Sequence, residues 1–213
     1  MRSPTSEVYG ALEAAFRFFN RELFDGALPD ALITIPHKDK RTRGYVTAER
    51  FAGRKTGRHA NELAMNPVHF AGPLKDILAI LAHQMAHLWQ HAHDKPSRNG
   101  YHNRRWAEKM LAIGLHPSST GKPGGKSTGQ QMNHYVVKGG RFDRVSRRLI
   151  TSGFDVVWAE ARLKRDLEQV PGRGGEGETG RVSWLCPNCS LKAWAKPSAR
   201  LMCGVCRTNL IRR

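Results

Sequence analysis

The run Leu81-Ala82-His83-Gln84-Met85-Ala86-His87-Leu88-Trp89 constrains this chain more than any other stretch. Around it Ile77, Leu78, Ile80, Leu81, Met85 and Leu88 recur at three- and four-residue intervals, which predicts a buried amphipathic helix. On such a helix His83 and His87 stand one turn apart on one face. Their imidazoles are then about 6 Å apart along the axis, and a nitrogen of each can reach one Zn²⁺ at roughly 2.0–2.1 Å.

The run follows the metalloprotease pattern H-E-x-x-H with one departure, Gln84 in the place of Glu. A Glu there takes a proton from water and later delivers it to the leaving amine. Gln84, at the catalytic position, has the same shape and no titratable oxygen. Metal binding is expected to survive, because position 84 is not a ligand, whereas turnover is not. The otherwise intact site fits a recent single change, an engineered one ahead of a natural loss.

A third ligand has three candidates. His91 lies two turns from His83, about 12 Å along the axis, too far to share one ion. His93 stands where the pattern H-E-x-x-H-x-x-G-x-x-H ends, but Gln90 replaces the glycine that breaks the helix there. His102 follows a Pro96-Ser97-Arg98-Asn99-Gly100 turn and opens a second helix, Asn103 to Ile113, that can fold back over the first. His102 is the choice, with His93 as its rival.

The stretch from Phe19-Asn20-Arg21-Glu22-Leu23-Phe24 through His83-x-x-x-His87 to Gly100-Tyr101-His102 and Trp106 resembles the SprT-like zinc metalloproteases. That family includes the Spartan proteases, which degrade DNA–protein crosslinks, and its third histidine stands fifteen residues after the second, as His102 does after His87. The resemblance covers residues 5–118 and, through a C-terminal zinc ribbon, the tail. It implies an α+β, zincin-like metalloprotease domain with a small antiparallel sheet. It also implies action on proteins bound or crosslinked to DNA.

The chain is long enough for one principal domain and a small appendage. The expected division is a protease domain at 1–170 (core 5–118, basic extension 119–170), a glycine-rich linker at 171–181 and a ribbon at 182–213. No run of 18 apolar residues exists, so no membrane span is expected, and the N-terminus has no apolar leader core. A cytoplasmic, DNA-associated monomer is the expectation.

In order, the patterns predict a helix to Phe24, a strand at Ala31–Ile35, and short strands at Gly44–Ala48 and Glu62–Asn66. Either of the last two could hold a substrate backbone by strand addition. The histidine helix follows from Pro73 to Asp94, and the next ends at Gly114. Residues 118–130 read as a flexible basic loop. Gly124-Gly125-Lys126-Ser127 there is no phosphate-binding loop, because Thr120 stands where the first glycine belongs. Strands at His134–Val137 and Phe154–Trp158 flank a helix at Phe142–Ile150, whose Arg144, Arg147 and Arg148 could grip phosphate. His134 is weighed as an extra metal ligand and set below a packed histidine.

All four cysteines fall in two C-x-x-C pairs, Cys186/Cys189 and Cys203/Cys206, thirteen residues apart. This spacing predicts a structural Zn²⁺ centre, giving two zinc sites in all, one catalytic and one structural. From Arg181 to Arg213 there are seven Lys or Arg and no Asp or Glu, within a chain of net charge +17. Four thiolates on zinc subtract about two charges, which leaves the module near +5. A polyanion, DNA above all, is the partner this charge suits. Lys192, Trp194, Lys196, Arg200 and Arg207 are its candidate contacts, sequence-independent and suited to single strands, with Trp184 a lesser one.

Overall fold

The computed structural model describes residues 3–38, 42–94, 100–159 and 182–212. The chain divides into two compact units, residues 1–168 and 169–213. The expected linker at 171–181 lies outside the described residues.

In the larger unit the first helix, α1 (Pro4–Phe24), begins with the Ser3 hydroxyl accepting the Ser6 amide at 3.2 Å and with Pro4 in its first turn. It stops at Asp25, whose φ of 56° is left-handed. Asn20 then pins the departing chain, donating to the Leu28 carbonyl and accepting its amide. Strands β1 (Ala31–Thr34), β2 (Gly44–Ala52) and β3 (His59–Met65) follow. They form a sheet in the order β1-β3-β2, with β1 parallel and β2 antiparallel to β3. The expected antiparallel sheet is therefore mixed. Alternation of side chains reports which face is buried and carries no information on strand direction.

Helix α2 (Leu74–His93) lies at the centre of the core. Leu81, Ala82, Met85, Ala86 and Leu88 are fully buried, as are Phe19 and Leu23 of α1 and Leu63 of β3. Helix α3 (Arg104–Ile113) adds Trp106 and Met110 and ends at Gly114, φ 91°. A Cβ at Gly114 would lie 2.7–2.8 Å from the backbone nitrogens of Arg141 and Phe142, so only glycine fits both the turn and the approach.

Strand β4 (Leu115–Ser118) leaves directly from Gly114 and pairs antiparallel with β5 (Asn133–Val136). Pro117 lies within β4. It is tolerated because it sits in a two-stranded ribbon with one side unpaired. Helix α4 (Arg141–Thr151) then buries Phe142 against Phe19 at 5.7 Å between ring centroids. Asp143 of α4 pairs with Lys75 in the first turn of α2. Phe142, Val145, Leu149 and Val156 thus belong to the same core as the residues before 118. Phe154–Trp158 form no strand: Val156 packs inward while the indole nitrogen of Trp158 donates to Glu7 at 2.6 Å. The apolar run there docks as single side chains, without a strand partner.

The smaller unit contains β6 (Val182–Leu185), β7 (Lys192–Ala195) and β8 (Ile211–Arg212) in the order β7-β6-β8. Its core is Trp184, Cys186, Cys203 and Leu210. No helix among the described residues is long and apolar enough to cross a membrane.

Candidate metal centre

Helical spacing sets His83 and His87 side by side on α2, 5.2 Å between ring centroids. The structure brings His102, just before α3, to 5.3 Å from His83 and 4.6 Å from His87. One nitrogen from each of the three lies within 4.8 Å of the others. His83 Nε2 and His102 Nε2 are 3.3 Å apart. Two nitrogens at about 2.05 Å from a tetrahedral Zn²⁺ are themselves about 3.3 Å apart, so the spacing suits one ion.

His102 Nδ1 lies 3.2 Å from the Gly129 carbonyl. A carbonyl only accepts, so the imidazole carries its proton on Nδ1 and turns a bare Nε2 toward the other two histidines. Burial pushes the pKa values of His83 and His87 well below the ordinary range. Burial also lowers that of His102, against the carbonyls of Gly129, Gln130 and Gly100, which raise it. Neutral imidazoles with converging lone pairs are what a borderline-soft cation requires.

Three supports were not legible in sequence. The first is Gln90, buried on α2, whose amide donates to Asn103 Oδ1 at 2.7 Å. The same oxygen caps α3 by accepting the Trp106 amide at 3.0 Å, so one side chain ties the start of α3 to α2 beside the histidines. A glutamine on an otherwise apolar helix face was the available signal. The second is the segment read as flexible. It is folded into turns, with Ser119 N–Lys126 O at 2.9 Å and Ser118 Oγ–Lys122 O at 2.5 Å. It returns to clamp His102 through paired backbone bonds with Gly129, at 2.8 and 3.1 Å. The third is Trp106. Fully buried, it stacks on His87 and meets His83 and His102 edge-on.

The histidines face a groove of about 1120 Å³. Residues 42–48, leading into and along β2, line one part of it, and residues 130–134 another. Gln84 is almost wholly buried on its wall. Gly44 lies so close that a Cβ there would stand 3.0 Å from Gln84 Cγ. Of the two strands proposed for substrate addition, β3 has partners on both sides, which leaves β2, an edge strand.

His93, the rival third ligand, bonds the Ala27 carbonyl at 2.7 Å and lies tilted against the Trp89 ring; it stands outside the cluster. The arginines of α4 are engaged within the fold. Arg147 pairs with Asp143, Arg148 with Glu22, and Arg144 bonds the Gly139 carbonyl.

In the smaller unit the four cysteine sulfurs lie within 4.8 Å of one another, Cys189 and Cys203 at 3.6 Å. Sulfurs at about 2.3 Å from a tetrahedral ion are about 3.8 Å apart, so these also suit zinc. The two knuckles repeat one geometry: Ser190 N–Cys186 O at 2.9 Å matches Arg207 N–Cys203 O at 2.8 Å. The left-handed residue of each knuckle is Ser190 or Arg207, just after the second cysteine, rather than the Pro187 or Gly204 within it. Backbone amides of Cys206 and Val205 lower the pKa of the Cys203 thiol to about 7, whereas the Cys189 thiol raises that of Cys206 to about 12.

Lys192, Trp194 and Lys196 are exposed at alternate positions along and just past β7, and Arg200 and Arg207 are exposed too. Trp194 is 66 % accessible, whereas Trp184 fills the small core.

A mixed helix-and-strand unit whose H-x-x-x-H helix contributes two histidines of a three-histidine cluster, the third standing just before the next helix, defines the class. The sequence model of the SprT-like family matches residues 12–123, and the chain belongs to that family. An uncharacterized protein in the mucB 3′ region of Salmonella typhimurium is 45 % identical over 60 residues, 28 % of this chain and 80 % of that protein. No solved structure matches. Family membership and the histidine cluster together indicate a metalloprotease-type function.

Proposed function

We propose that the chain is a zincin-like zinc endopeptidase acting on DNA-bound or DNA-crosslinked proteins, and that Gln84 holds it inactive. The observation that carries the proposal is the convergence of three neutral imidazoles on the wall of a groove edged by β2, the outer strand of its sheet.

His83, His87 and His102 would hold Zn²⁺, which supplies a Lewis acid for the scissile carbonyl and acidifies water when bound. The free edge of β2 would take the substrate backbone by strand addition, laying a peptide along the groove. Gln84, one residue from His83, can hold a water by its amide but cannot take the water's proton. The four cysteines would hold a second, structural zinc. The alternating Lys192, Trp194 and Lys196 repeat at about 6.6–6.8 Å, a spacing at which cations can meet phosphates while the indole stacks on a base. The ribbon would then serve to place the protease on DNA inside the cell, without reading sequence.

The test compares this chain with Gln84→Glu, both zinc-loaded, on a DNA-binding protein with and without DNA. Cleavage rising by about 10²–10⁴-fold in the Glu form is expected. Restored chemistry that DNA accelerates would support the whole proposal. If neither form cuts although both carry two zinc ions, the histidine site is not catalytic, and a nucleic-acid-binding zinc protein is the better description. DNA binding through phosphates should fall steeply with salt.

A further inference from the structure

A histidine that binds metal through one ring nitrogen needs a partner on the other, which fixes its tautomer and its ring plane. His102 has the Gly129 carbonyl. Among the described residues His83 has no carbonyl or carboxylate partner; its Nδ1 lies 3.0 Å from Nδ1 of His134, on β5. One proton lies between these two nitrogens, and its location decides the site. If His134 donated it, His83 would carry its own proton on Nε2, aimed at His102 Nε2 3.3 Å away, and the metal-facing lone pair would be lost. If His83 donates it, Nε2 is bare and faces the shared point.

We infer that His134 is a positioning residue of the metal centre: it accepts the Nδ1 proton of His83 and thereby holds His83 Nε2 toward the point shared with His87 and His102. The inference rests on the three-histidine reading of the centre. His134 does not itself ligate in this arrangement, because it bonds the opposite nitrogen of the His83 ring from the one that faces His102.

The fold places His134 by a short route. Strand β4 departs from α3 at Gly114, and its Pro117 is paired with His134 across the two-stranded ribbon. Asn133 steadies the approach: its Oδ1 accepts the His134 amide at 2.8 Å and Arg43 Nη1 at 2.9 Å. Arg43 immediately precedes β2, so this bond links residues from two parts of the groove lining. Position 134 lies beyond the stretch matched by the family, residues 12–123, in the part that sequence set aside as a basic extension.

The test measures zinc affinity by competition with a chromophoric chelator, the cysteine site being filled first. The variants are His134→Leu, which removes the acceptor, and His134→Asn, whose Oδ1 can replace Nδ1. The Leu variant should bind the second zinc about 10–100-fold more weakly, with Asn restoring most of the loss. Nitrogen-15 NMR of the zinc-loaded parent should find His83 protonated on Nδ1. Equal affinity in the Leu variant would overturn the inference. So would an Asn variant as weak as Leu, which would point to direct ligation or to packing. Circular dichroism of both variants identifies any loss of fold, and a folded Asn variant alone still decides. A parent that takes up no second zinc would sink the metal centre itself, a separate and visible failure.

Discussion

Gly44→Ala probes the closest approach in the groove. A Cβ at this position would stand 2.4 Å from the Ala64 carbonyl oxygen and 3.0 Å from Gln84 Cγ. Carbon–oxygen contacts close to about 3.3 Å, so the first contact is short by about 0.9 Å. Gln84 can turn its side chain aside, but the Ala64 carbonyl belongs to the central strand of the sheet and is held by the pairing of β2 with β3. Strand β2 must therefore move at its start, and overpacking of this kind costs about 1–3 kcal/mol. In a chain of this size each kcal/mol lowers the melting temperature by about 2–4 °C. Thermal unfolding of the larger unit, followed by near-ultraviolet circular dichroism, reads the effect. Adding Gln84→Ala should recover less than about 0.5 kcal/mol, because the backbone contact dominates. A Gly44→Ala chain that melts within 1 °C of its parent, to take about that as the error, would refute the reasoning; so would full rescue by Gln84→Ala, which would move the strain to the side chain.

Two further outcomes follow from the same structure. The Asp143 carboxylate is held down to about 2 from 3.8, first by its bond with Lys75 and then by the Gly139 amide. A depressed pKa contributes stability that is present above the unfolded value and lost as pH falls through the folded one, so urea unfolding should show a loss between about pH 4 and 2 that Asp143→Asn removes. Removal of zinc should unfold residues 182–212, whose core is little more than Trp184, Leu210 and two cysteines, while α2 keeps its amides protected from hydrogen exchange. A chelated ribbon that retained its protection would show that the four sulfurs are not its staple.

How much was legible depended on the range of the interaction. The i, i+4 histidines, the caps of α1 and α3 and the C-x-x-C turns are written in residues a few positions apart, and local geometry realises them directly. His102 could be favoured over His93 by the turn before it. What seats it is the Gln90–Asn103 link and the backbone bonds with Gly129, 27 residues on. Glycine, serine and lysine composition reads as mobility, yet those residues fold here because carbonyls and hydroxyls nearby bond their own turns.

By itself the sequence determined a buried helix able to present two histidines, a four-cysteine module and a side chain without a titratable oxygen at position 84. Only the tertiary structure decided the parallel pairing of β1, the packing of α4 into the core, the approach of Gly44 to Gln84 and the meeting of His134 with His83. These contacts join residues whose separation along the chain carries no periodicity. They are selected by the burial of whole faces and by strand register, which exist only once the chain has folded.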